Sequence, residues 1–282
     1  MSDVLNLWDY QFMRYAFYAG LLASIAFGII GTYVVVRRIV FMSDGIAHAA
    51  FGGVGLSFYL GISPLLGAAA FSIGSALGLG VINRKASHRE DTIIGILLAM
   101  GMALGMFFIF ITPGINRDPA SYLFGNILML KEIDLWLLVG LCSLILTSAV
   151  LLHHKLQAIT FDREFSEVIG LKAFALYLYL LVLVALTVVL LIKFLGVILV
   201  IAMIAIPSTI AAWFTANMKK IMCASGILSF VLITAGLWFA FEFDFIVGPT
   251  IVLLSGTVFI IILLLRKASS FIEEKWVKSA NT

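Results

Sequence analysis

The run FALYLYLLVLVALTVVLLI at 174–192, followed by Lys193 and then by FLGVILVIAMIAIPSTIAAWFT at 194–215, carries a single charge in its whole length. A hydrocarbon core of about 30 Å is crossed by roughly 20 apolar residues in a helix. Each half is therefore long enough to span a bilayer. Lys193 alone separates them, so the two halves are read as two spans or as one bent element. Pro207 lies inside the second half, where a break is tolerated if neighbours or a cavity satisfy the freed backbone.

Outward from this stretch, apolar runs of similar length recur at 12–36, 45–61, 64–83, 92–112, 135–152, 221–241 and 246–265. With the two halves above they make eight or nine spans. The 282 residues are 63% hydrophobic and only 12% charged, with a mean hydropathy of +1.16. Soluble domains carry about 25% charged residues. The runs do not alternate, so a membrane barrel is excluded. The expected fold class is all-α: a polytopic membrane helical bundle, one transmembrane domain over 1–282, with no separate soluble domain and no nucleic-acid surface. The two cysteines, Cys142 and Cys223, lie in or beside apolar runs and read as small buried hydrophobes. Trp8, Tyr10 and Phe12 read as interfacial anchors ahead of the first span.

Basic residues orient the chain. With the N-terminus outside and the C-terminus inside, the inner side holds Arg37, Arg38, Arg84, Lys85, Arg89, Lys155, Arg163, Lys172, Lys219, Lys220, Arg266, Lys267, Lys275 and Lys278. The outer side holds Arg14, Arg117, Lys131 and Lys193. The 18 basic residues divide 14 to 4, a strong positive-inside bias.

Two ionisable residues stand out in the second span, Asp44 and His48. At i and i+4 they share a helical face, so one carboxylate oxygen and one imidazole nitrogen can reach the same divalent ion. Ionisable groups at membrane depth are expensive and point to a pathway or a partner. The alternative is that Asp44 caps a helix and His48 satisfies a backbone carbonyl. Glycines crowd the neighbouring spans; Gly74 with Gly78, and Gly101 with Gly105, form small-xxx-small pairs that permit close helix contact. Glu242 and Asp244, at the outer end of the eighth span, are two apart and share no helical face. They are candidates for an outer entrance or for a solvated rim. Asp118 and Glu132 read as outer loop residues, and His88, His153 and His154 as inner loop residues.

The longest inner loop, 153–173, is too polar to span. Asp162 is placed to cap a short helix, with Glu164 in its first turn where the helix dipole favours negative charge. Phe165, Val168 and Ile169 make an apolar stripe, and Gly170 ends it. A short amphipathic helix with exposed apolar residues, around 160–172, is a docking element or an interfacial helix resting on lipid.

Glu164-Phe165-Ser166 followed by Gly170 resembles the cytoplasmic loop of ABC-importer permeases, although Phe165 and Ser166 stand where alanines are usual. Ser43-Asp44-xxx-Ala47-His48-Ala49 after Arg37-Arg38, Asp91-Thr92-Ile93-Ile94-Gly95-Ile96, Tyr122-Leu123-Phe124-Gly125-Asn126-Ile127-Leu128, and Leu195-Gly196-Val197 through Ile206-Pro207 resemble, in matching order, the ABC metal permeases of the zinc, manganese and iron type (the ABC-3 family). The resemblance implies a multi-pass protein of the bacterial cytoplasmic membrane, paired with a second copy of itself around a translocation path. It implies that Asp44 and His48 line that path, that the loop with Asp162, Glu164, Phe165, Ser166 and Gly170 docks a separate cytoplasmic ABC ATPase, and that an extracytoplasmic solute-binding protein delivers the metal. No Gly-x-x-x-x-Gly-Lys-Ser/Thr is present, so no Walker A loop hydrolyses ATP in this chain. The chain is expected to be a transport subunit and not an enzyme, without a tightly bound cofactor. The cargo is a divalent transition metal: one carboxylate and one imidazole per subunit lean to zinc, with manganese next and ferrous iron compatible.

Three rivals remain. An ATP-independent secondary cation transporter also wants Asp and His in a span but leaves the 164–170 element without a role. An intramembrane metalloenzyme wants three placed ligands. A vitamin or siderophore permease has no call for Asp44 and His48.

Overall fold

The computed structural model describes residues 11–85, 90–113, 125 and 130–280; Trp8, Tyr10, Asp118, His88 and most of the 122–128 motif lie outside these. Its described elements are helices throughout. They are α1 (Gln11–Val36), α2 (Val40–Leu60), α3 (Pro64–Lys85), α4 (Glu90–Ile111), α5 (Glu132–Leu151), α6 (His153–Phe161), α7 (Arg163–Val168), α8 (Ala173–Phe214), α9 (Met218–Glu242) and α10 (Val247–Ala280). Seven of them are long and apolar enough to cross a membrane. The expected all-α membrane bundle is what forms.

Helix α8 holds 42 residues in which Gly196 alone has non-helical angles, φ 78 and ψ 160. Residues with side chains essentially do not adopt this region. The contacts show how sharply the chain turns there. Tyr177 lies under the Arg37 guanidinium at the C-terminal end of α1. Ser208 and Ile204 press on Gly31, also near that end of α1. A straight helix would hold residues 177 and 208 about 46 Å apart, yet both meet the same end of α1. The chain therefore reverses at Gly196, and α8 is a helical hairpin whose two legs both cross the bundle. The break expected near Pro207 falls instead at Gly196; Pro207 is buried inside the returning leg.

The hairpin is the centre of the molecule. Leu180, Leu181, Val184, Val188, Leu191, Val197, Leu199, Val200 and Met203 are all buried. Around it stand α1, α2, α3, α9 and α10. Lys193, read from sequence as an outer loop residue, sits at the top of the first leg. Its Nζ donates to Asp134 Oδ1 at 2.5 Å. The other oxygen of Asp134 accepts from the Lys131 amide at 3.2 Å and so caps α5. Gly125 (φ 74) packs onto the turn, because a Cβ there would stand 2.4 Å from the Gly196 nitrogen.

At the opposite end the structure gathers the basic residues. Arg84 and Arg163 both lie over the Phe174 ring, and Arg266 lies over Trp213. The positive-inside rule assigns this end to the cytoplasm.

Connections at the start of the chain are short. Arg38 takes the left-handed conformation (φ 62), so three residues suffice to turn α1 into α2. Gly61 (φ 69) ends α2, its amide bonded to the carbonyls of Phe58 and Ser57. Pro64 then opens α3, where its missing N–H costs nothing.

Candidate functional site

Helix α2 begins five residues before the sequence-derived limit of 45, because Arg38 makes the turn and frees Val40 to start the helix. Asp44 and His48 thus lie one and two turns inside it, not at its margin. Most of α2 is buried against α3, α4 and the hairpin, including Met42, Ile46, Ala47, Ala50 and Phe51. The side chains of Asp44 and His48 remain 24% and 18% exposed on one face, in line with the exposed Phe41.

The two groups meet. His48 Nδ1 lies 3.1 Å from Asp44 Oδ1 and 3.0 Å from the Asp44 backbone oxygen. Both oxygens are acceptors only, so Nδ1 carries the proton and donates. In the neutral ring the lone pair is then on Nε2. A carboxylate that orients an imidazole this way is the usual support of a metal-ligating histidine. The alternative reading from sequence is half realised: His48 does satisfy a backbone carbonyl, but Asp44 sits within the helix and does not cap it. Among the described residues no group of three or more His, Cys, Asp or Glu is placed to hold a metal. One chain offers this face one nitrogen and one carboxylate.

Backbone contact fixes α2 in place. A Cβ on Gly101 of α4 would stand 2.6 Å from the His48 carbonyl oxygen, and one on Gly55 would stand 2.3 Å from that of Gly105. Of the small-xxx-small pairs, Gly101 and Gly105 are thus packed against α2. Gly74 and Gly78 meet nothing within 4 Å.

The inner loop is better ordered than its sequence suggests. It forms two short helices, α6 and α7, joined at one residue. Asp162 closes α6 and caps α7, accepting the Phe165 amide at 2.9 Å. Ser166 is buried and its hydroxyl donates to the Asp162 carbonyl at 2.6 Å. Arg163 and Glu167 pair one turn apart at 3.3 Å. Gly170 (φ 83) ends the segment. Phe165, Val168 and Ile169 face outward, 58%, 84% and 54% exposed. Sequence reasoning missed α6. Its buried positions His153, Leu156, Ile159 and Thr160 follow helical spacing, the signal that marks it.

At the other end of the bundle, Glu242 closes α9 and Asp244 follows in the left-handed conformation (φ 54); both are exposed. Phe239, Phe243 and Phe245 stack beside them, with centroid separations of 6.1 and 5.8 Å.

 Gly28 of α1 packs on Met222 and Gly226, and Gly20 on Ile233, so α9 runs toward the N-terminal end of α1; Glu242 and Asp244 therefore lie at the opposite end of the bundle from Asp44 and His48, and the structure does not bring the expected outer entrance and the α2 pair into one site.

A family model described as the ABC 3 transport family matches residues 9–266. The chain is 39% identical over 252 residues to a Chlamydia muridarum protein named "Probable metal transport system membrane protein", covering 87% of this chain and 86% of that one. It is 30% identical over 256 residues to the manganese transport system membrane protein MntC of Listeria monocytogenes, covering 91% of each. The solved structure of PsaBC from Streptococcus pneumoniae in complex with Fab superposes with a TM-score of 0.82 at 27% identity, over 92% of this chain and 93% of that one. The helical bundle and the match over nearly its whole length show that this membrane protein belongs to the ABC 3 transport family.

Proposed function

We propose that the chain is the permease subunit of an ATP-binding cassette importer for a divalent transition metal, and that Asp44 and His48 are the groups that pass the ion. The observation that carries this is the α2 pair: a carboxylate and an imidazole whose Nδ1 is held by Asp44, both only partly exposed on one face of a mostly buried helix. Two copies facing one another would supply two nitrogens and two carboxylates, enough to replace water around a dehydrating ion without holding it permanently. Mixed nitrogen and oxygen donors suit zinc and manganese. The manganese transport named for the Listeria relative supports manganese as much as the donor set supports zinc. The exposed stripe Phe165, Val168 and Ile169, beside Glu164 and the Asp162 cap, is the docking surface for a separate cytoplasmic ATPase. An extracytoplasmic solute-binding protein would deliver the ion to the opposite end, where Glu242 and Asp244 are exposed.

The test is uptake of radiolabelled manganese and zinc by a deletion strain carrying the chain with its cognate ATPase. Asp44→Ala and His48→Ala are each expected to reduce uptake at least tenfold while the protein still inserts. Full uptake by both variants would refute the site. Gly170→Val is expected to weaken ATPase assembly, since φ 83 disfavours a β-branched residue. Gradient-driven uptake by the chain alone would favour a secondary transporter.

A further inference from the structure

Arg37 stands at the turn between α1 and α2, on the cytoplasmic end of the bundle. Its Nη1 donates to the backbone oxygen of Ile159 in α6. Its guanidinium lies 4.5 Å from the centroid of the Tyr177 ring, at the start of the α8 hairpin. The Tyr177 hydroxyl in turn donates to Met42 Sδ in α2 at 3.1 Å. Met42 is two residues before Asp44. Ile159, Tyr177 and Met42 are 0%, 1% and 1% exposed. A close-packed interior transmits displacement because it has no slack to absorb it. The docking pair α6–α7, joined at Asp162, is thus linked by three contacts to the helix that carries Asp44 and His48.

We propose that Arg37 and Tyr177 are positioning residues that transmit movement of the α6–α7 docking pair to α2, and so set where Asp44 and His48 stand. This rests on the permease reading above. Arg37 suits the role because one planar group both donates to a carbonyl and stacks on a ring, which the point charge of lysine does not reproduce. A second tie holds the other side of the pair. Arg163 of α7 and Arg84 of α3 lie over Phe174 at 5.6 and 4.7 Å. When the ATPase moves α7, the start of the hairpin and the α1–α2 turn move with it. Coupling of this kind needs packed side chains and hydrogen bonds in series, and the series is present here.

The experiment reconstitutes the permease with its cognate ATPase in proteoliposomes and measures metal transported and ATP hydrolysed together. Tyr177→Phe keeps the ring under Arg37 and removes only the hydroxyl; Met42→Leu keeps the volume and removes the sulfur. Arg37→Gln removes the stacking cation. Each is expected to assemble with the ATPase and hydrolyse ATP within twofold of wild type, while metal transported per ATP falls at least fivefold. Arg37→Lys is expected not to rescue. Unchanged transport per ATP in Tyr177→Phe and Met42→Leu overturns the relay. A wild-type chain that binds no ATPase overturns the permease reading and the relay with it, whereas normal wild-type coupling with normal variants overturns the relay alone.

Discussion

A ring nitrogen that faces two oxygen acceptors has one way to satisfy them, and His48 Nδ1 takes it. Elsewhere the residue scale is set by burial. His153, at the start of α6, is buried, and burial lowers its imidazole pKa below the usual 6.5, helped by the positive charge of Lys219 and by His154. The folded chain therefore resists protonating it. As pH falls below about 6.5, the unfolded chain binds a proton that the folded one refuses, so stability falls. Above that pH the contribution is constant. Melting temperature in detergent is expected to drop between pH 7 and pH 5.5, and His153→Gln is expected to drop less; equal drops would remove His153 as the cause. The spacing of Asp44 and His48 was legible from sequence. The pairing of Lys193 with Asp134 was not, because the partners are far apart in the chain and a lone lysine between apolar runs reads as a loop.

At the scale of elements, backbone contact between helices decides what is tolerated. Gly101 admits no side chain, since a Cβ would stand 2.6 Å from the His48 carbonyl oxygen and 2.8 Å from the Ala49 Cα. Gly101→Val is expected to destabilise by about 1–3 kcal/mol, the range for overpacking a well-packed interior. Gly95, with nothing within 4 Å of its Cβ position, is the control on the same helix. Thermal unfolding of Gly101→Val and Gly95→Val separates the two, and equal stabilities would mean that α4 shifts freely along α2. The apolar runs predicted these helices because length and hydropathy are local properties. The α1–α2 turn escaped prediction because Arg38 adopts a left-handed conformation with no glycine to mark it. The Asp162 cap and the Gly170 stop were legible, because capping and positive φ have residue signatures.

The whole molecule depends on one reversal. Both legs of α8 run through the core, and they are joined by Gly196 in a conformation that is essentially glycine-only. Gly196→Val is expected to prevent accumulation of folded protein, measured as monodisperse protein after detergent extraction; wild-type yield would show that the turn relaxes to another shape. The sequence displayed the two apolar halves but not where they part, since Lys193 and Pro207 are the more conspicuous residues and Gly196 is one of 24 glycines. Its role shows only once Tyr177 and Ser208 are seen at the same end of α1.

The connectors at the start of the chain have a mechanical consequence. Three residues join α1 to α2 and three join α2 to α3, too few to let neighbouring cylinders slide past one another. Helices α1, α2 and α3 strapped in this way shift together. On the permease reading, a push from the docking pair on the α1–α2 turn is then carried by all three cylinders at once, so Asp44 and His48 are displaced with their whole neighbourhood and not by bending of α2 alone.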